Sequence, residues 1–520
     1  MSASSITPGA LLVGRAPPSL LARAGNLAAF VRVYSDADPA RTALRFADDA
    51  TLSYGDLDDE GGRLGEALTL HGVLAGQRVL VLVPVGPTLY PVLFGIMAIG
   101  AVAVIVDPSM SRAHLRAALR AAHVDVVVAV ARGHLLRLLP ELWRATAFVV
   151  GPVGAWQRPL CATRLDVEAA RLPRGRRALA RVDDDSDALI TFTTGSTGVP
   201  RGARRSHGLL NRQGAVIDTA WPRRRDDVDL ATLPVFATSN LAAGITTVFP
   251  RIDLRHVDLD DGTATAVRDD MLARGVTTFG GSPAFVDAVA RAVLRDRLTV
   301  PLVRAVAIGG APVLPALAAR IAGAFPHSVC RVVYGATECE PIASIDLDAV
   351  IAEAATHDAG GGCLVGAVHH GVSVVLEDTV DGVGEVCVAG DHVLRDYLDE
   401  AVTAAATIHV DGVRYLRIGD VARRDERGRL WLLGRRSDAV VGVDGRVRYP
   451  LAVEAIARAR GVVGAFVGVG GRAIFCVVDG DVADVADLAD EVVRVETLPL
   501  DPRHRARIDR RALRALLEHR

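Results

Sequence analysis

The sequence predicts an α/β protein in which a large N-terminal domain of parallel α/β sheets plus a β-rich subdomain is hinged to a small α+β C-terminal domain. Three observations predict it. At 520 residues the chain exceeds what one hydrophobic core supports. Half of the residues are hydrophobic but only 4% are aromatic, with 50 glycines, which suits helices packed closely on buried parallel strands. The texture also changes along the chain, from long apolar runs to short strands with polar turns from Gly382 onward.

The N-terminal elements follow in order. Val79 to Val106 carries no charge and is long enough to cross a bilayer. Pro84, Gly86, Pro87 and Pro91 interrupt it, however, and its ends are β-rich. The reading is therefore a βαβ unit: VLVLVPV as strand, PTLYPVLFGIMAIG as buried helix, AVAVIVD as strand. AHLRAALRAAH is a helix and VDVVVAVA a strand, and the Arg-, Asp- and Pro-rich stretch from Arg158 to Ser186 is a surface connector. Further βα-like units are DLATLPVF, VTTFGGSPAFVDAVARAV, VRAVAIGGAPVLPALAARIAGAF and CRVVYGATE. Several of their apolar runs end in small-residue turns, GGSP, GGAP and YGAT, and parallel α/β sheets bind ligands where strands end in such turns.

GEVCVAG, VRYLRIGD and GRLWLLG form the β-rich part. GRRSDAVVGVDGRV (Gly434 to Val447), dense in charge and glycine, reads as a joint. YPLAVEAIARA is then a helix, GAFVGVG and AIFCVV are strands, and ARIDRRALRALLEH is a closing basic helix. The expected domains are residues 1–434 and 435–520.

Composition bounds the function. Fifty-nine basic residues against 61 acidic ones leave no basic excess for nucleic acid. The six cysteines, Cys161, Cys330, Cys339, Cys363, Cys387 and Cys476, contain no C-x-x-C pair, so neither a zinc site nor a disulfide framework is expected and a reducing cytoplasm suits them. Arg15, Pro17, Pro18 and Arg23 break up the N-terminus, which lacks the apolar core of a signal peptide. All 59 basic residues are arginine, a usage most simply ascribed to a GC-rich coding bias.

The chemistry is concentrated in TFTTGSTGVPRG, Thr191 to Gly202. The run follows ALITF, a strand, so it emerges at a strand end. Its glycines let backbone N–H groups converge on phosphate oxygens, and the hydroxyls of Thr193, Thr194, Ser196 and Thr197 add neutral donors. The Walker spacing is missing. An ordinary flexible loop is the bland alternative, and the density of Thr and Gly before Pro-Arg-Gly argues against it.

These residues resemble the phosphate signature of the acyl-adenylate-forming superfamily, which includes acyl-CoA synthetases, luciferases and peptide-synthetase adenylation domains. The other signatures occur in the family's order: LSYGDLDDEGGRLGEAL, GGAP (Gly309 to Pro312), YGATE (Tyr334 to Glu338), IGDVARRDERGRLWLLGRRSD and LPLDPRHRARIDR. The resemblance covers nearly the whole chain and implies ATP and Mg²⁺ as cofactors. By resemblance, Thr193, Thr194, Gly195, Ser196, Thr197, Gly198 and Arg201 hold the departing phosphates. Gly310, Ala311 and Pro312, with Tyr334, Gly335, Ala336 and Thr337, border the adenine. Glu338 is the implied Mg²⁺ ligand, a carboxylate for a hard cation. Glu340 lies off the motif and reads as surface. Asp420 accepts from both ribose hydroxyls, and Arg435 reaches ribose or phosphate. Taken singly, Asp420 and Arg435 are a solvated turn acid and a surface cation; the ordered motifs overturn that.

The family places a lysine near the C-terminus that bridges the carboxylate substrate and the α-phosphate, and in HRARI the matching position is Arg507. Arginine is always charged and forks onto carboxylate or phosphate, but it is bulkier than lysine and is not a point charge. Losing one such stabiliser costs on the order of ~3 kcal/mol of barrier.

Within the superfamily the chain is similar to the β-lactone synthetases of bacterial olefin biosynthesis, in YGATECEPIAS, in DPSM and in the pattern of Asp501 to Ile508. Many CoA ligases have histidine where LPVFATSN has Ala237. The resemblance implies adenylation of a hydrophobic carboxylic acid of the 3-hydroxy class, then closure of a β-lactone with loss of AMP, among neighbouring pathway enzymes. An acyl-CoA ligase and a lysine-free, non-catalytic nucleotide-binding homologue are the alternatives. Phe236, Asn240, Gly281 and Ser282 are the expected acyl-pocket residues, although Phe236 alone would more often be core. His369 and His370 lack a third ligand and read as loop residues. Arg204–Arg205 and Arg223–Arg225 read as solvated surface. The joint is expected to pivot about Ser437 and Asp438.

Overall fold

A computed structural model of the chain describes residues 25–518 apart from 108–109, 155–162, 195–199, 222, 233, 253–259 and 501–507. The chain divides into two compact units, Met1–Arg251 with Asp391–Ala405, and Ile252–Gly390 with Ala406–Arg520.

The charge-free stretch in the first unit folds as the expected βαβ: strand Arg78–Leu82, helix Leu89–Ala98 and strand Val102–Ile105, the strands parallel with Val79 opposite Ala103. Among the described residues no helix is long and apolar enough to cross a membrane. These strands belong to a seven-stranded sheet ordered Thr163–Arg164, Thr146–Val149, Val126–Ala129, Arg78–Leu82, Val102–Ile105, Asp187–Thr194, Pro200–Ser206. Only the last pair is antiparallel. Val79, Leu80, Val104, Val127 and Ile190 are fully buried, as strands covered on both faces require.

Helix Tyr54–Leu70 begins at a capping box. The Ser53 hydroxyl accepts from the Asp56 N–H at 3.0 Å, and the Asp56 carboxylate accepts from the Ser53 N–H at 3.1 Å. It meets helix Leu89–Ala98 backbone to backbone. A Cβ on Gly95 would stand 2.6 Å from the Gly61 carbonyl oxygen, and one on Gly65 would stand 2.8 Å from that of Gly95. Gly61 and Gly65 of EGGRLGEAL are therefore fixed by packing.

The second unit contains parallel strands Thr278–Gly281, Ala305–Gly309 and Val329–Ala336. Strand Val329–Ala336 turns at Thr337 and Glu338 into antiparallel Cys339–Asp346, so YGATE is the tip of a hairpin and not the strand-to-helix turn the sequence suggested. Antiparallel strands Cys363–Val368, Leu430–Arg435, Val413–Arg424, Val383–Ala389 and Ser373–Val380 continue the sheet. This is the β-rich part. Past the joint, helix Pro450–Ala459 and strands Val463–Val469, Arg472–Asp479 and Glu491–Arg494 enclose Val453, Phe466 and Phe475. Helix Arg510–Glu518 anchors through buried Leu513, and Arg510 pairs with Glu454. The mixed α/β class expected from composition holds. The five described cysteines are buried.

Two buried histidines make stability depend on acid. His207, fully buried, accepts from the Leu27 N–H at Nδ1 (3.0 Å), and burial pushes its pKa down from 6.5 to about 4. His357, fully buried with its ring 4.9 Å from that of Trp431, is pushed down to about 4 for the same reason. The unfolded chain binds protons at these groups first as the pH falls. Their contribution is therefore complete above pH 6.5 and lost between 6.5 and about 4. At ~1.4 kcal/mol per pH unit, each can remove up to about 3 kcal/mol. Thermal midpoints are expected to fall steeply from pH 6.5 to 4.5, and His207→Gln, which keeps an acceptor for Leu27, to shallow the slope. An unchanged slope in that variant would remove His207 from the account.

Candidate active site

Each unit presents its share of the expected residues, beginning in the first with strand Asp187–Thr194. Ala188, Ile190 and Phe192 point into the core, and Leu189 to Thr191 pair with Ala103 to Ile105. The strand returns as Pro200–Ser206, with Thr193 opposite Arg201 and Thr194 opposite Pro200. The phosphate motif thus joins two antiparallel strands, and helix His207–Ala220 begins only after the second. Gly195, Ser196, Thr197 and Gly198 lie outside the described residues. Arg201 is half-buried, and its side chain makes no hydrogen bond or ion pair with any described residue. Its neighbour Arg204 is held by Asp187 at 3.0 Å. Gly202 is a packing residue: a Cβ there would run into Leu398, whose N–H donates to the Gly202 carbonyl at 2.8 Å.

Two expectations about arginines fail. Arg205 is 7% exposed, because strand alternation turns it inward. Arg223 binds Asp218 (3.2 Å) and the Ser239 hydroxyl (2.9 Å), while Arg225 lies 5.4 Å from the Tyr34 ring centre. Of that trio only Arg224 is exposed.

Phe236 and Asn240 lie on helix Pro234–Ala243. Phe236 is partly buried against the core. Asn240, 3% exposed, donates from Nδ2 to Asp229 at 2.7 Å.

In the second unit the register brings three turns to one edge. Gly281 pairs with Ile308 and Gly309 with Val333, so Ser282, Gly310 and Tyr334 all stand at the C-terminal ends of adjacent parallel strands. This is the edge where such sheets bind ligands. Gly310 has φ +85°, a left-handed conformation favouring glycine, and Gly310 and Pro312 are exposed while Ala311 is half-buried. Ser282 caps helix Pro283–Arg295, its hydroxyl accepting from the Phe285 N–H at 3.3 Å, and Gly281 is closed in by the Phe285 ring.

Tyr334, Asp420 and Arg435 form one hydrogen-bonded group. The Tyr334 hydroxyl donates to Asp420 Oδ2 at 2.8 Å, and Arg435 Nε stands 3.0 Å from Asp420 Oδ1. Strand register sets Asp420 opposite Arg435, and Arg435 Nη1 donates to the Ile418 carbonyl at 2.9 Å. Burial first, then Asp420, holds the Tyr334 phenol well above its ordinary pKa, so it stays a donor. The Asp420 charge raises the pKa of Arg435. Each Asp420 oxygen meets one protein donor and keeps a second lone pair for a ligand hydroxyl. Sequence reasoning assigns Tyr334 and Asp420 separate roles and misses the bond between them, for which a tyrosine rather than phenylalanine in the motif is the only signal.

Glu338 occupies the hairpin tip beside Thr337, half-buried. Glu340 is half-buried too, its Cγ close to Gly335, rather than plain surface. Among the described residues no three His, Cys, Asp or Glu side chains cluster to hold a metal. A lone carboxylate suits Mg²⁺, which is usually held by one or two carboxylates together with substrate phosphates. His369 and His370 lie just past strand Cys363–Val368, in a turn.

At the joint, Arg436–Asp438 is a 3₁₀ turn. Arg436 binds Glu385 (2.7 Å) and Asp378 (3.1 Å), and Asp438 binds Arg514 of the closing helix (3.0 Å). Arg507 lies outside the described residues; beside that segment Leu500 bridges Ile508.

A family model described as AMP-binding enzyme matches residues 32–398. An olefin β-lactone synthetase of Stenotrophomonas maltophilia is 32% identical over 415 residues, covering 75% of this chain and 74% of that protein. A 4-coumarate–CoA ligase of Oryza sativa is 26% identical over 410 residues, covering 75% and 72%. Among solved structures, ATP-bound MatB from Rhodopseudomonas palustris superposes with a TM-score of 0.77 at 23% identity, over 95% of this chain and 99% of that one. That likeness shows a shared fold.

Proposed function

The chain belongs to the AMP-binding enzyme family and is an AMP-forming ligase, and from that premise we propose that it activates a 3-hydroxy carboxylic acid as its acyl-adenylate and closes it to a β-lactone. The observation that carries the lactone reading is the 32% identity to olefin β-lactone synthetases, against 26% to the coumarate ligase. Ala237, fully buried where many CoA ligases have histidine, supports it.

The substrate carboxylate attacks the α-phosphorus of ATP and pyrophosphate leaves. Arg507 neutralises the charge shared by the attacking carboxylate and the phosphoryl oxygens. Thr193, Thr194, Ser196 and Thr197, with Gly195 and Gly198, donate to the departing phosphates. Arg201, half-buried and with no described partner for its side chain, supplies a cation to the same anion. Asp420, oriented by Tyr334 and Arg435, accepts from the ribose hydroxyls. Gly310, Ala311, Pro312, Gly335, Ala336 and Thr337 border the base. Glu338 would hold Mg²⁺, which neutralises phosphate charge when bound. The 3-hydroxyl then attacks the acyl carbon, losing its proton to solvent as AMP leaves with the bonding pair. Adenylation is required because closing a strained four-membered ring needs a good leaving group. Phe236, Asn240, Gly281 and Ser282 remain the proposed acyl contacts, and residues 435–520 the part that pivots at Ser437 and Asp438.

ATP–pyrophosphate exchange across a panel of 3-hydroxy acids tests the reading. Exchange and AMP release are expected with long-chain 3-hydroxy acids, with no change on adding coenzyme A. AMP release that requires the thiol would make the chain an acyl-CoA ligase. Tight ATP binding without exchange for any acid would mark a non-catalytic homologue.

A further inference from the structure

Residues Arg112 to Arg144 of the first unit carry charge out of keeping with the chain. Six arginines (112, 116, 120, 132, 137 and 144) face two acids, a net of +4 where the whole chain is −2. Both acids are engaged. Asp125 accepts from the Arg78 backbone N–H at 2.8 Å. Glu141, its side chain 6% exposed, takes Arg116 at 2.9 Å and Arg120 at 3.3 Å. On helix Arg112–Ala122, Arg112, Arg116 and Arg120 recur every four residues and so form one stripe, while Ala118, Leu119 and Ala122 anchor the helix. Arg132 and Arg144 are exposed.

The Glu141 bridges bring this stripe to a second feature. Two residues on, Trp143 is 68% exposed, and its Nε1 donates to the Leu138 carbonyl at 3.4 Å. Leu138 is 66% exposed and Leu135 45%. Trp143 is the only aromatic among the large exposed hydrophobic side chains of the described residues. An indole and two leucines in water, flanked by guanidinium groups, match the needs of a bilayer surface. The apolar groups enter the boundary between headgroups and acyl chains, and the cations meet lipid phosphates. Protein interfaces are also enriched in Trp and Arg, so it is the net charge of +4 around the exposed indole and leucines that selects an anionic lipid surface.

We propose that this face docks the enzyme on the surface of an anionic lipid bilayer. The inference uses none of the residues assigned to adenylation, so it stands or falls apart from that reading.

The test is co-sedimentation of the full chain with vesicles of equimolar phosphatidylglycerol and phosphatidylcholine, against vesicles of phosphatidylcholine alone. Binding to the anionic vesicles is expected to be about tenfold tighter or more, and to weaken as salt rises. Trp143→Ser with Leu138→Ser, and separately Arg120→Glu with Arg132→Glu and Arg144→Glu, are each expected to lower it by about tenfold. Pyrophosphate exchange in solution should be unchanged in both variants, which also shows that they fold. Equal binding to the two vesicle types, no binding to either, or either variant binding like the parent would overturn the proposal. Binding to polyglutamate as tight as to the vesicles and indifferent to Trp143 would reassign the face to an acidic protein and overturn it equally.

Discussion

Arg507→Ala is expected to lower the rate of ATP–pyrophosphate exchange by about 10²–10³-fold, and Arg507→Lys to keep or raise it. In the proposed adenylation two anions meet, a carboxylate oxygen and the α-phosphate, and the transition state concentrates their charge. A cation placed there does its work in the transition state, so its loss falls on kcat more than on the KM for ATP. Arginine supplies the charge at any working pH and can fork across both partners. Lysine offers a smaller head that reaches one point, hence the expectation that it substitutes without loss. Thermal midpoints should match across the three proteins, which separates catalysis from folding. An Arg507→Ala enzyme with full exchange activity would mean that some other cation serves the α-phosphate.

How far the sequence could be read depended on how local each signal was. The βαβ unit from Arg78 to Ile105 was legible because its apolar runs, prolines and glycines all lie within thirty residues or so of one another. The hairpin of Val329–Ala336 and Cys339–Asp346 was not. Its turn, Thr337–Glu338, lacks the Asn-Gly type of signal, and Pro341 argues against a strand interior. Arg205 shows a different failure. The alternation of PRGARRS already turned it inward, but a pair of arginines suggests a wet surface more strongly than a short strand suggests burial. The Tyr334–Asp420 bond spans 86 positions, and no spacing rule reaches that far. The ordered motifs named both residues without revealing that one holds the other.

That bond makes a second large effect predictable. Asp420→Asn is expected to raise the KM for ATP by about 10²-fold with a smaller change in kcat, since two charge-assisted hydrogen bonds at about 1.5–3 kcal/mol each are weakened. The amide also leaves Arg435 without its ion-pair partner and cannot accept from Tyr334 and from both hydroxyls at once. Tyr334→Phe removes only the orienting donor and should raise the KM less than tenfold or so. Comparing ATP with 2′-deoxy-ATP separates ribose recognition from general disruption. The parent enzyme should prefer ATP, because one Asp420 lone pair loses its hydroxyl in the deoxy nucleotide. Asp420→Asn should lose most of that preference, as two changes acting on one contact are not additive. If the variant binds weakly yet still discriminates between the two nucleotides, Asp420 serves the fold of the Tyr334–Arg435 group and the ribose is read elsewhere.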